Sequence, residues 1–230
     1  MSSWQKFCPD FKIVRWDESN FDLSRNRYCK GAYNNKKWAF VSDYARLDII
    51  NRYGGVYLDT DVELLKDLTP FISEYGFLAR QTDGKIATGL GFAAEAGNPL
   101  VQAMLSAYDD ISFIQADGSF DITACPDRNT DAFNKTINAS RLFDSSSEEA
   151  ISEEQFKMRI FPSEYMCPMD YREMKLSCTD NTISIHWFSA SWQDRFSRSL
   201  IVRKMKYAAK KYLGEEKYDE ITHKICDFFK

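Results

Sequence analysis

The sequence predicts an α/β fold, and three observations carry that prediction. From Trp38 to Tyr53 the apolar residues Val41, Ala45 and Ile49 recur every fourth position, the period of a helix, with Gly54-Gly55 as its stop. Val56-Tyr57-Leu58 follows at once as a short apolar strand that runs into Asp59. Beyond it, extended and helical patterns continue to alternate along the chain, which is the signature of the class.

The other elements follow in order. Phe11–Trp16 reads as a strand and Trp16–Asp22 as the loop after it. Gly76–Arg80 and Ile86–Ala94 read as two further strands. Asn98-Pro99 opens a helix through about Ile111, with proline at a favourable first-turn position. Residues 126–139 form another helix, and Asp144–Glu154, rich in Ser and Glu, is a polar connection. Thr182–His186 is the final strand, with Trp187–Trp192 as a loop. The tail from Ser199 is helical in pattern, with Gly214 as its break. There is no internal repeat and no clean linker, so residues 1–230 are expected to form a single domain with 199–230 as a C-terminal helical tail.

Composition excludes several classes. An apolar fraction of 44% and a charged fraction of 28% over 230 residues are those of a soluble globular protein able to bury a core. A net charge of −4 argues against nucleic-acid binding. No apolar run approaches a membrane span and the first residues do not open a signal peptide, so a cytoplasmic protein is expected. Of six cysteines none forms a C-x-x-C pair, and there are only two histidines, so no zinc site is expected. Buried free thiols are the expected state of the cysteines. The sequons at Asn134 and Asn138 would matter only in a secretory pathway.

Asp59 and Asp61 carry the chemistry. If the strand continues, Tyr57, Asp59 and Asp61 project from one face at its carboxyl end, where open α/β sheets bind ligands. Paired carboxylates without a nearby His or Cys suit a hard divalent ion such as Mn²⁺ or Mg²⁺, which in turn favours phosphate oxygens. A calcium loop beginning at Asp59 would need Gly at 64 and Glu at 70, where the chain has Leu64 and Pro70. A haloacid-dehalogenase-like phosphatase would use Asp59 as nucleophile and Asp61 as acid/base, but Glu63 and the helical setting of Asp109-Asp110 fit it poorly. A solvated strand end is the bland alternative, and Asp-x-Asp alone does not exclude it.

The wider context is more specific. Trp38-Ala-Phe-Val-Ser-Asp-Tyr-Ala-Arg-Leu47 and Tyr53-Gly-Gly-Val-Tyr-Leu-Asp-Thr-Asp61 resemble the sugar-binding, Asp-x-Asp region of glycosyltransferase family 32. Thr88-Gly-Leu-Gly-Phe92, Asn98-Pro99, Thr123-Ala-Cys-Pro126, Phe161-Pro-Ser-Glu-Tyr165 and His186-Trp-Phe-Ser-Ala-Ser-Trp192 continue the resemblance in order. Bacterial capsular-polysaccharide transferases are among the members it resembles. The resemblance implies a GT-A fold, a mixed sheet flanked by helices, and retaining transfer of a hexose from a UDP- or GDP-sugar to a saccharide or lipid-linked acceptor. Members usually begin with an extra strand ahead of the helix that contains Trp4, and here residue 1 falls inside that helix, so the expected sheet lacks it.

The same resemblance implies the site. Asp43 and Arg46 match residues that hold the donor sugar; from spacing alone they share a helical face and could equally be a surface ion pair. Tyr57 and Asp59 match positions near the nucleoside and sugar, Asp61 the principal metal carboxylate, and His186 a late metal ligand beside Asp59 and Asp61. Gly89 and Gly91 match a turn near donor and acceptor; as a plain strand bend they would carry no role. Ser191 and Trp192 match a segment that closes over the diphosphate. Asp43, Arg46, Asp59 and Asp61 are thus the expected catalytic set. A basic run over residues 195–211, interleaved with apolar residues, would suit an anionic membrane surface or a solvated helix packed by its apolar side. A transferase-like binding or scaffold subunit without turnover is the competing function class.

Overall fold

The computed structural model describes residues 1–72, 74–140, 154–170, 175–188 and 217. The chain divides into two units, one of residues 1–169 and 177–187, the other of 170–176 and 188–230. The second unit includes a short strand at Lys175–Leu176. The first unit holds Asp43, Arg46, Asp59, Asp61 and His186.

Local chemistry sets its helices. After α1 (Ser2–Phe7), the side chain of Asn26 accepts from the N–H groups of Tyr28 and Cys29 and so starts α2 (Arg27–Asn34). Helix α3 (Trp38–Tyr53) spans the residues its periodicity predicts. It ends at Gly54, whose φ of 67° and ψ of −170° lie outside the range of other residues, and a Cβ there would stand 2.9 Å from the Ala96 nitrogen. Asn98 caps α5 (Pro99–Ser106) through Leu100 and Val101, and α6 spans Cys125–Ser140. Two single-turn helices, α4 (Thr69–Ile72) and α7 (Ser163–Met166), are also present among the described residues.

The strands are short: β1 (Gly55–Tyr57), β2 (Val62–Leu64), β3 (Gly76–Ala79), β4 (Phe92–Ala94), β5 (Met158–Phe161) and β6 (Ser184–His186). Four of them make a mixed sheet in the order β1-β4-β3-β5, with β3 and β5 parallel and the other pairs antiparallel. β2 and β6 form a separate antiparallel pair. One hydrophobic cluster joins α3 (Leu47, Ile50), α5 (Leu100, Met104) and α6 (Phe133, Ile137) to the sheet through Leu78, Phe92 and Met158. Each such side chain, fully buried, contributes about 1.5–3 kcal/mol. The architecture is α/β, a mixed sheet flanked by helices, compatible with a GT-A-like fold.

The structure corrects four local expectations. Phe11–Trp16 joins no ladder among the described residues: Ile13 and Val14 are exposed, and Trp16 instead packs its ring 5.3 Å from that of Tyr53. Ile86–Ala94 is not one strand, because a 3₁₀ turn at Thr88–Leu90 interrupts it and Gly91 turns at φ 119°. Helix α5 ends at Ser106 rather than near Ile111; Tyr108 turns into the core and Asp109-Asp110 lie in a bend. Cys8, Cys29, Cys125 and Cys167 are buried as expected, but Cys178 is exposed. Most of the polar connection 144–154, Ser191, Trp192, the basic run 195–211 and all of the tail but residue 217 lie outside the described residues.

Candidate functional site

Helix α3 is buried on more than its apolar side. Asp43 and Arg46 are 8% and 5% exposed, so they are not the surface ion pair that their spacing alone allows. The Arg46 side chain is fixed by its own helix, donating from Nε to the Ser42 carbonyl and from a terminal nitrogen to Ser42 Oγ, each at 3.0 Å. That same nitrogen stands 3.1 Å from Asp43 Oδ1 and 3.4 Å from Asp59 Oδ1. The guanidinium also lies 5.1 Å over the Tyr57 ring.

The two aspartates of Asp-x-Asp meet differently from the way strand alternation predicts. β1 ends at Tyr57, and Asp59 and Asp61 sit on the turn into β2, closed by the Val62 N–H donating to the Asp59 carbonyl at 2.9 Å. The Tyr57 hydroxyl donates to Asp59 Oδ1 at 2.6 Å. Asp59 therefore divides its oxygens: Oδ1 serves Tyr57 and Arg46, while Oδ2 lies 3.7 Å from His186 Nε2. That nitrogen is also 3.3 Å from Asp61 Oδ1. β6 places it there, since His186 pairs with Val62 in the ladder and the Trp187 N–H donates to the Asp61 carbonyl.

Charge follows from this packing. Burial would raise the Asp59 carboxyl, but Arg46, His186 and Tyr57 together hold it below its ordinary value. Burial, reinforced by the charge of Asp59 and opposed by Arg46, pushes Asp43 up to about 6. Burial, opposed by Arg46 and reinforced by Asp59, pushes the Tyr57 phenol up, so it remains a donor. Asp43 and Asp59 thus share the Arg46 guanidinium, while Asp61 stands beside the His186 imidazole.

These residues fit a hard divalent cation. One ligand atom each of Asp59, Asp61 and His186 lies within 4.8 Å of the others, the one such group among the described residues. The Nε2–Oδ separations of 3.3 and 3.7 Å approach the roughly 3 Å edge of an octahedron with metal–ligand bonds near 2.1 Å. Two carboxylates and one imidazole are a ligand set for a divalent ion. Glu63 stands apart on β2, exposed, accepting from the Trp187 indole at 2.9 Å.

The glycines of the 88–91 turn differ in what they touch. A Cβ on Gly89 would meet an Arg46 terminal nitrogen and Asp59 Oδ2, each at 2.9 Å, so its backbone lies directly against the charged cluster. Gly91 packs against Leu58 and Met166, and its φ of 119° is what requires glycine there. Behind the turn lies a group with no role assigned from sequence. Asn129 donates from Nδ2 to Thr88 Oγ1 at 2.9 Å and to Cys125 Sγ at 3.1 Å, and Thr88 Oγ1 is 3.3 Å from that sulfur. Its signals in the sequence are the Thr88–Phe92 and Thr123–Pro126 elements of the resemblance, neither of which points to this group by residue type.

Residues 1–78 match a family model described as the glycosyltransferase sugar-binding region containing the DXD motif. The matched segment carries Asp43, Arg46, Tyr57, Asp59 and Asp61, and it supports a glycosyltransferase that uses a nucleotide-sugar donor. No curated protein matches the chain. Among the described residues no helix is long and apolar enough to cross a membrane.

Proposed function

We propose that the protein transfers a hexose from a UDP- or GDP-sugar to a saccharide or lipid-linked acceptor, with retention of configuration, in surface or capsular polysaccharide synthesis. The observation that carries this reading is the convergence of Asp59, Asp61 and His186 on one point, beside the buried Asp43–Arg46 pair. Asp59 Oδ2, Asp61 and His186 would hold Mn²⁺ or Mg²⁺. When bound, such an ion offsets the negative charge that develops on a departing diphosphate.

The chain's own groups supply the rest. Asp43 is the acceptor for donor-sugar hydroxyls, and Arg46 fixes its direction by bridging it to Asp59. Gly89, bare of a side chain, lets the sugar approach that pair. Tyr57 keeps its proton and holds Asp59 Oδ1, leaving Oδ2 for the ion. Ser191 and Trp192 are assigned to closure over the diphosphate and Gly91 to the same turn on the strength of the family resemblance. Residues 1–230 act as one transferase domain in this reading, with the basic segment 195–211 resting at an anionic membrane surface where a lipid-linked acceptor would lie.

Calorimetric titration of UDP and GDP, each with and without Mn²⁺, tests the proposal. Binding of one nucleotide only with Mn²⁺, abolished by Asp61→Asn in a folded protein, is the expected result. Unchanged binding or turnover in that variant defeats the assignment. Metal-dependent binding without donor hydrolysis or transfer would make the protein a binding subunit instead.

A further inference from the structure

We propose that Trp4 is a positioning residue for the cation site: its indole N–H, donated to the Val62 carbonyl, fixes the backbone that sets Asp61 against His186. The inference rests on the cation-binding role of those two residues stated above.

Among the described residues, β2 pairs with a strand on one edge alone. Toward β6 the Asp61 carbonyl accepts from the Trp187 N–H, and the Leu65 N–H donates to the Ile183 carbonyl. Residues 61, 63 and 65 thus direct their backbone groups into the ladder, while those of Val62 and Leu64 face the opposite edge. Helix α1 takes that edge. Trp4 Nε1 donates to the Val62 carbonyl at 2.8 Å, and Ser3 Oγ accepts from the Leu64 N–H at 3.2 Å. Val62 and Leu64 are 2% and 1% exposed, so water is a poor substitute for either partner.

Three constraints meet at Val62. Its N–H closes the Asp-x-Asp turn on the Asp59 carbonyl at 2.9 Å. It stands opposite His186 in the ladder and directly follows Asp61 in the chain. Its carbonyl is the acceptor that Trp4 holds. A tilt of Val62 would move Asp61 and His186 relative to each other. The 3.3 Å between their ligand atoms leaves little slack for an ion with bonds of about 2.1 Å. Leu64 lies two residues further on, opposite Ser184, so the Ser3 bond braces the same edge away from the ligands. Helix α1 has a separate anchor, since the thiol of its C-terminal cap, Cys8, donates to Asp67 Oδ1 at 3.8 Å. Trp4→Phe therefore keeps the helix and an aromatic ring in place and removes the donor.

The test compares wild type, Trp4→Phe and Ser3→Ala, each well below its melting temperature. Hydrogen exchange of the Val62 and Trp187 amides, without metal, reads the ladder. Loss of the electron paramagnetic resonance signal of aqueous Mn²⁺ reads the cation site. Trp4→Phe is expected to speed exchange of both amides about fivefold or more and to weaken Mn²⁺ binding about tenfold. Ser3→Ala should leave Mn²⁺ binding within about twofold of wild type. Unchanged exchange or unchanged Mn²⁺ affinity in Trp4→Phe overturns the inference, even if the melting temperature falls. An equal loss in Ser3→Ala overturns it too, since α1 would then be a general brace. Should Trp4→Phe not fold, 3-benzothienylalanine at position 4, with sulfur in place of the indole N–H, carries the same expectations. Wild type that binds no Mn²⁺ would defeat the proposed function and the positioning role with it, whereas the exchange rates would still show whether Trp4 holds Val62.

Discussion

His186 Nε2 lies 3.3 Å from Asp61 Oδ1 although the two residues are far apart in sequence, because β6 runs antiparallel to β2 with His186 opposite Val62. The ladder, rather than either residue's neighbours, holds the imidazole beside the Asp-x-Asp turn. A His186→Ala variant should lower Mn²⁺-supported nucleotide affinity by about tenfold or more while moving the melting temperature little, since one ligand of three is lost and the ladder hydrogen bonds are backbone. Calorimetry with and without Mn²⁺ reads this directly. Wild-type affinity in the variant would remove His186 from the metal site.

Asp43 should make stability depend on pH in the direction opposite to Asp59. Its carboxyl is pushed by burial from the ordinary 3.8 to about 6, so between those values the folded chain binds more protons than the unfolded one. Stability from this group is full below about 3.8 and lost as pH rises through 6, a change on the order of 2–3 kcal/mol. Asp59, held low, contributes stability above its unfolded value that is lost as the medium is acidified. Asp43→Asn should therefore flatten the falling part of the profile between pH 4 and 6 and raise the melting temperature at pH 8, while abolishing nucleotide-sugar binding. Thermal melts across pH 4–8 check it; a variant less stable than wild type at pH 8 would show that the charged form of Asp43 is favoured by the fold.

Two glycines should fail in different ways. In Gly89→Ala the new methyl meets the ends of Arg46 and Asp59, which can swing aside, so the protein should fold and lose donor affinity by about tenfold or more. In Gly54→Ala the methyl meets the backbone nitrogen of Ala96 at a φ of 67°, and neither can yield. That variant should lose roughly 3 kcal/mol of stability or fail to fold. Denaturant melts beside nucleotide titrations separate the two; a Gly89→Ala protein with wild-type affinity would place the donor elsewhere.

The sequence by itself determined what short-range chemistry controls. The period of Val41, Ala45 and Ile49 with Gly54 as stop gave α3 to the residue, and the alternation of patterns gave the α/β class, because helix period and glycine conformation are local properties. The Asp-x-Asp turn and its neighbours were legible as a motif. Ladder formation was not: Phe11–Trp16 has the composition of a strand, yet β pairing needs a partner edge that no window of sequence contains. The exposure of Cys178 and the interruption at Thr88–Leu90 were hidden for the same reason.

Only the tertiary structure decided what Asp43 and Arg46 are. Spacing put them on one helical face and left open a solvated ion pair, whereas packing against β1 and the 88–91 turn buried both and pressed them on Asp59. It also brought His186 to Asp61 and joined Cys125 and Asn129 of α6 to Thr88 of the 88–91 turn. Burial, and with it the strength of every charge and hydrogen bond in the site, is a property of elements distant in sequence that the fold brings together.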